Sequence, residues 1–184
     1  MEVTKNILQT TIIKSLFAIV LGSIALIISA KIKIPFYPVP MTMQTFMILF
    51  LGIALGWKLG VATVTLYLFE GIIGLPVFSS SPEKGVGIIY FTGPTMGYLI
   101  GFVFTVYFAG SFNFSKNLFI RFLQLSFSIS FIYILGVLWL GTLIGWEKPL
   151  FQLGVQPFLL AELFKILIIL ISLPKIKKLN QYLQ

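Results

Sequence analysis

The chain has 184 residues, 58% of them hydrophobic and only 10% charged, far from the ~25% charged residues of a soluble domain. It has no Cys and no His, which excludes disulfides, thiol chemistry, the usual zinc, haem and iron–sulfur ligand sets, and any Cys–His or Ser–His catalytic pair; five acidic residues are too few for a carboxylate metal cage. The net charge of +8 sits between apolar runs, a placement that suits membrane topology and anionic lipid headgroups rather than nucleic acid.

At ~20 residues per bilayer crossing, the chain holds about six spans. It reads as a single all-α membrane-embedded domain over residues 1–184. The first run is Ile12–Ala30. It is long enough to span and no convincing cleavage site follows, so it reads as a span and not as a cleaved signal. Lys31-Ile32-Lys33 and the Pro-rich segment Pro35–Pro40 end it. The second run, Thr42–Leu55, stops at Gly56-Trp57-Lys58, and the third, Leu59–Ile73, stops at Gly74-Leu75-Pro76. Both are short, so one is expected to be tilted, partly buried or re-entrant. A polar loop, Ser79–Lys84, follows. Gly93-Pro94 opens the fourth run, Thr95–Ala109; the fifth is Phe122–Ile144; the sixth, Val155–Leu173, is closed by Pro174 and the basic tail Lys175–Lys178.

With six spans both termini share a side. That side carries Lys5, Lys14, Lys58, Lys116, Arg121, Lys175, Lys177 and Lys178, against Lys31, Lys33, Lys84 and Lys148 on the other. The excess of basic residues predicts both termini in the cytoplasm.

Glu162 and Lys165 lie within the sixth run, three residues apart and so on one helix face. Burying either charge in hydrocarbon costs roughly 2.5–3.5 kcal/mol on insertion scales, so the pair points either to a ligand site or to a self-satisfied ion pair that orients helices. Glu70, near the external end of the third run, reads as interfacial. Thr42, Gln44 and Thr45 follow the proline segment; they read either as groups carried into a cavity or as a loop and a cap at Thr42. Tyr98, in Gly93-Pro94-Thr95-Met96-Gly97-Tyr98, stacks on a planar ligand or sits in the headgroup belt, and composition favours the belt. Ala18, Gly22, Ala25 and Ser29 form a small-residue face on the first helix that suits close packing. No G-x-x-x-x-G-K-[ST] loop is present, so ATP hydrolysis is not expected of this chain, and no charged pore-lining series points to an ion channel.

Five segments in order resemble the BioY family of biotin transporters: Pro38-Val-Pro-Met-Thr-Met-Gln-Thr45, Leu55-Gly-Trp-Lys-Leu-Gly60, Gly71-Ile-Ile-Gly-Leu-Pro-Val-Phe78, Gly93-Pro-Thr-Met-Gly-Tyr-Leu-Ile-Gly101 and Pro157-Phe-Leu-Leu-Ala-Glu-Leu-Phe-Lys165. The resemblance implies the substrate-binding S component of an energy-coupling factor transporter in the cytoplasmic membrane. Such a subunit is a six-helix bundle with an external biotin pocket, driven by a transmembrane coupling subunit and two cytoplasmic ATPases. Biotin is then a transported substrate and not a cofactor, and the chain is not an enzyme. The implied substrate-binding residues are Glu162, Lys165, Gln44, Thr45, Tyr98 and Phe78. Glu162 or Gln44 meets the ureido head and Lys165 the carboxylate, roles that are exchangeable at this stage. Ala18 and Gly22 become expected docking contacts for the coupling subunit. The family's motif carries Asp where this chain has Glu162, one methylene longer. That departure motivates an alternative in which the same architecture binds another vitamin or a biotin precursor. An alternative of another class is a membrane scaffold subunit without a ligand.

Overall fold

Long apolar stretches with few breakers become helices, and Gly and Pro set where they end. The computed structural model describes residues 2–183, with side chains described for residues 12–181. In chain order it comprises α1 (Glu2–Lys31), β1 (Lys33–Ile34), β2 (Met41–Thr42), α2 (Gln44–Ile72), α3 (Ile88–Phe91), α4 (Met96–Ser111), α5 (Leu118–Ile144), α6 (Leu150–Gly154), a 3-10 turn (Gln156–Phe158) and α7 (Leu159–Leu183). Lys5, one of the basic residues used for topology, lies outside the residues whose side chains are described. The strands pair antiparallel, Lys33 with Thr42 and Ile34 with Met41, and so close the proline segment into a short hairpin. Four helical stretches are long and apolar enough to cross a membrane, and α4 is a shorter apolar helix. Their large apolar side chains face outward, with Ile13 and Phe17 on α1, Phe119 on α5 and Ile171 on α7 all mostly exposed. An apolar surface on that scale belongs in lipid.

The stretch Gln44–Ile72 is a hairpin rather than a rod. Gly56, at φ 73 and ψ 170, occupies backbone space that is essentially reserved for glycine. It splits α2 into a first arm, 44–55, and a second arm, 57–72. An unbroken helix would separate Gln44 from Tyr67 by about 35 Å, yet Gln44 Nε2 donates to the Tyr67 hydroxyl at 2.8 Å. The arms also touch at Gly60, where a Cβ would lie 3.5 Å from the Gly52 Cα. The two short runs of the sequence are therefore two short arms packed back to back.

α4 lies between this hairpin and α5. Cβ atoms built on Gly97 and Gly101 would run into the Leu135 carbonyl and the Ile132 backbone of α5, and one on Gly52 would meet the Val106 carbonyl of α4 at 2.8 Å. Small residues thus let three backbones approach closely, the usual device for joining helices where lipid supplies no hydrophobic drive. Thr105 Oγ1 donates to the Ser128 carbonyl at 2.8 Å and ties α4 to α5.

The structure corrects the expected end of the last helix, and it gives internal neighbours to Gly22 and Glu70. α7 does not close at Pro174 but continues through it to Leu183; membrane helices tolerate such a proline when neighbours satisfy the freed carbonyl. Gly22, expected as a docking contact, is buried inside the chain, where a Cβ would sit 2.7 Å from Thr63 Cγ2 and 3.2 Å from Leu51 Cδ2. Its small size serves the packing of α1 on α2. Ala18, one turn earlier, is half-buried and packs on the same core. Glu70, expected at the interface, is half-buried and accepts a hydrogen bond from the buried Ser23 hydroxyl of α1.

Candidate ligand-binding site

At the end of the bundle that holds the β hairpin, the elements leave a cavity that is partly open to solvent. The β2–α2 junction supplies Thr42, Gln44 and Thr45, the loop after α2 supplies Phe78 and Ser79, and α3 supplies Tyr90. Tyr98 and Phe102 come from α4, Tyr133 from α5, Phe158 from the 3-10 turn and Glu162 from α7. Most of the wall is aromatic or aliphatic with a few polar groups, the usual composition of a small-molecule site.

The polar corner is built by α7 meeting the start of α2. Lys165 Nζ donates to the Thr42 carbonyl at 2.7 Å, to Thr45 Oγ1 at 2.9 Å and to Glu162 Oε1 at 2.8 Å. Thr45 Oγ1 in turn donates to Glu162 Oε1 at 2.8 Å. Glu162 and Lys165 are 5% and 6% exposed, so a buried ion pair is held by a closed set of partners. A Lys ammonium has three protons, and all three are used. Lys165 does not line the cavity; it stands behind Glu162 and fixes it. Glu162 Oε2 is different: it is buried and accepts no hydrogen bond among the described residues, with the Tyr133 hydroxyl of the cavity wall beside the Glu162 carboxylate. An unmet buried acceptor costs about 1–3 kcal/mol, so this corner is built to receive a donor.

The neighbouring groups are braced from behind. Thr42 Oγ1 donates to Gln44 Oε1 at 3.2 Å and accepts from the Gln44 backbone N–H at 3.3 Å, which gives the short turn that opens α2. One N–H of Gln44 goes to Tyr67, and Gln44 itself lines the cavity. Tyr98 donates its hydroxyl to the Gly154 carbonyl at 3.0 Å and is 6% exposed, so it forms the cavity wall and not a headgroup belt. The Phe78 ring is stacked on Tyr90 at 4.6 Å and lies edge-on to Tyr67 at 5.4 Å. It fills the space over Gly71, where a Cβ would collide with it.

Five of the six residues chosen from the sequence as substrate-binding, Glu162, Gln44, Thr45, Tyr98 and Phe78, line this cavity, and Lys165 supports it. Sequence reasoning did not single out Tyr90, Tyr133, Phe158, Phe102 or Ser79. Aromatic residues are common throughout the chain, so composition gave these no distinction. The loop that brings Phe78 and Ser79 into place is held from outside. Lys31 Nζ donates to the Phe78 and Ser81 carbonyls at 2.8 and 3.0 Å, and Lys33 Nζ donates to the Ser79 carbonyl at 2.5 Å.

Comparison with known proteins places the chain in a family. Residues 2–182 match the model of the BioY family. The chain is 35% identical over 138 residues to the probable biotin transporter BioY of Pyrococcus horikoshii, covering 75% of this chain and 80% of that one. It is 33% identical over 156 residues to the biotin transporter BioY of Thermotoga maritima, covering 84% and 90%. Among solved structures it superposes with TM-score 0.71 and 27% identity, over 92% of each chain, on the S-component for biotin from an ECF-type ABC transporter. The chain is an integral membrane protein, and it belongs to the BioY family.

Proposed function

We propose that this chain captures biotin from outside the cytoplasmic membrane as the S component of an energy-coupling factor transporter. In this reading it crosses the membrane six times: α1, both arms of α2, α4, α5 and α7. Both termini are cytoplasmic, and a separate transmembrane coupling subunit and two ATPases release the substrate inward. The chain is not an enzyme; it binds, orients and releases.

The observation that carries the reading is the unmet Glu162 Oε2 in an otherwise largely apolar cavity, within a chain of the BioY family. Biotin has a ureido head with two N–H groups and a carbonyl, an apolar fused-ring body and a carboxylate tail. A ureido N–H matches Glu162 Oε2, a charge-assisted bond of the stronger kind. The second N–H of Gln44 matches the ureido carbonyl. The ring body lies against Tyr98, Phe102 and Phe158. Thr45 and Lys165 hold the Glu162 carboxylate in position, so that little order is lost when ligand enters. A competition experiment tests the assignment. Labelled biotin bound to the purified protein is displaced by unlabelled biotin and not by excess thiamine or riboflavin. Displacement by either of the other vitamins would overturn it.

A further inference from the structure

Among the described residues, the ligand-binding corner has no free cation for a carboxylate. Lys165 spends its three protons on Thr42, Thr45 and Glu162, and no Lys or Arg is among the residues that line the cavity. A ligand whose ureido head sits at Glu162 carries its carboxylate on a flexible tail, away from that corner. Beside the cavity, across Pro40 and the Ser79–Ser80 backbone, lies a second, more open recess. Lys33, Lys84, Ser80 and Glu83 line it, with Phe36 and Pro40 as apolar walls. Lys33 Nζ gives one proton to the Ser79 carbonyl, and Ser79 itself lines the inner cavity, so the ammonium is at the boundary between the two spaces. Lys84 is exposed and has no ion pair among the described residues. Among the described residues, Glu83 is the one carboxylate on the rim, set against Lys33, Lys84 and the nearby Lys31, which also holds this loop.

We infer that this recess is an anion-binding vestibule in which Lys33 and Lys84 receive the substrate's carboxylate while its ureido head is held at Glu162. The inference rests on the biotin reading above and adds where the charge of the substrate goes. Two consequences separate it from mere loop support. Ligands with the same head but no charge do not use the vestibule. The contribution is also screened by salt, because the lysines face water.

The test is equilibrium binding of biotin and of biotin amide to the purified protein and to Lys33→Met/Lys84→Met, at low and at high salt. The wild-type protein is expected to bind biotin roughly tenfold more tightly than the amide at low salt, a difference of ~1.4 kcal/mol, and the gap narrows as salt is added. In the double variant the gap closes because biotin weakens more than the amide does; any loss of the Lys33 bond to the Ser79 carbonyl falls on both ligands alike. Lys33→Arg/Lys84→Arg restores the gap. Three results overturn the vestibule: no gap in the wild-type protein, a gap that persists in the double variant, or an equal loss for both ligands, which would make the lysines loop supports only. Wild-type protein that binds neither ligand overturns the biotin reading itself, and the vestibule with it.

Discussion

Lys165→Met separates support of the site from contact with the ligand. Lys165 is 6% exposed and its ammonium is held by the Thr42 carbonyl, Thr45 Oγ1 and Glu162 Oε1 at 2.7, 2.9 and 2.8 Å. Methionine keeps much of the volume, so the packing change is small. What remains is a buried Glu162 carboxylate without its counter-charge, which costs about 3–5 kcal/mol. For a chain of this size that corresponds to a fall in melting temperature on the order of 10 °C. Removing both charges in Lys165→Met/Glu162→Leu relieves the stranded carboxylate, and buried pairs replaced by apolar residues are often near neutral in stability. The double variant is therefore expected to regain most of the lost melting temperature in detergent, while ligand binding stays absent because the acceptor at Glu162 Oε2 is gone. Thermal unfolding of the wild type, both single variants and the double variant gives the coupling energy directly. Additive losses, or a Lys165→Met protein that melts like the wild type, would refute the claim that this lysine acts by holding Glu162.

Three further outcomes follow from the packing. Gly56→Ala forces a side chain into φ 73 and ψ 170 and is expected to lose about 1–3 kcal/mol, read as a lower melting temperature; an unchanged one would place the α2 turn elsewhere. Gly71→Ala drives a methyl into the Phe78 ring. It is expected to weaken ligand binding by displacing that ring from the cavity wall, measured by equilibrium titration. Gly22→Val collides with Thr63 and Leu51 and is expected to lower stability in the isolated chain by about 1–3 kcal/mol. A variant of normal stability that fails to co-purify with a coupling subunit would restore Gly22 as a docking contact.

Much of the site was legible because membrane burial makes polar residues conspicuous. Glu162 and Lys165 stood out as charges inside an apolar run, and their spacing placed them on one helix face. Thr45 and Gln44 stood out as polar groups opening another apolar run. Gly56 marked the end of the second run, although only the structure shows that its conformation folds the two arms against each other. The division of labour between Glu162 and Lys165 was not legible. It depends on which partners lie across from α7, and the Thr42 carbonyl is a backbone group that no residue pattern reports. The aromatic wall was hidden for the opposite reason. Tyr133 and Phe158 differ from the lipid-facing aromatics only in which way their helices turn, and that is set by packing. Gly22 shows why a small-residue face is an ambiguous signal: the same pattern serves docking and internal packing, and the structure supplies the internal neighbours, Thr63 and Leu51. Pro174 marks the same limit for breakers, since a proline ends a helix only when nothing else supports it.

The most direct test of the account is saturation binding of radiolabelled biotin to the purified protein, with Glu162→Gln measured beside it. Glutamine keeps the shape but puts an amide, with its own N–H groups, where the free carboxylate oxygen meets a donor. The account predicts saturable binding by the wild-type protein and a loss of at least roughly tenfold in the variant, with both proteins shown to be folded by thermal unfolding. Folded wild-type protein that binds no biotin, or a Glu162→Gln protein that binds it as the wild type does, would contradict it.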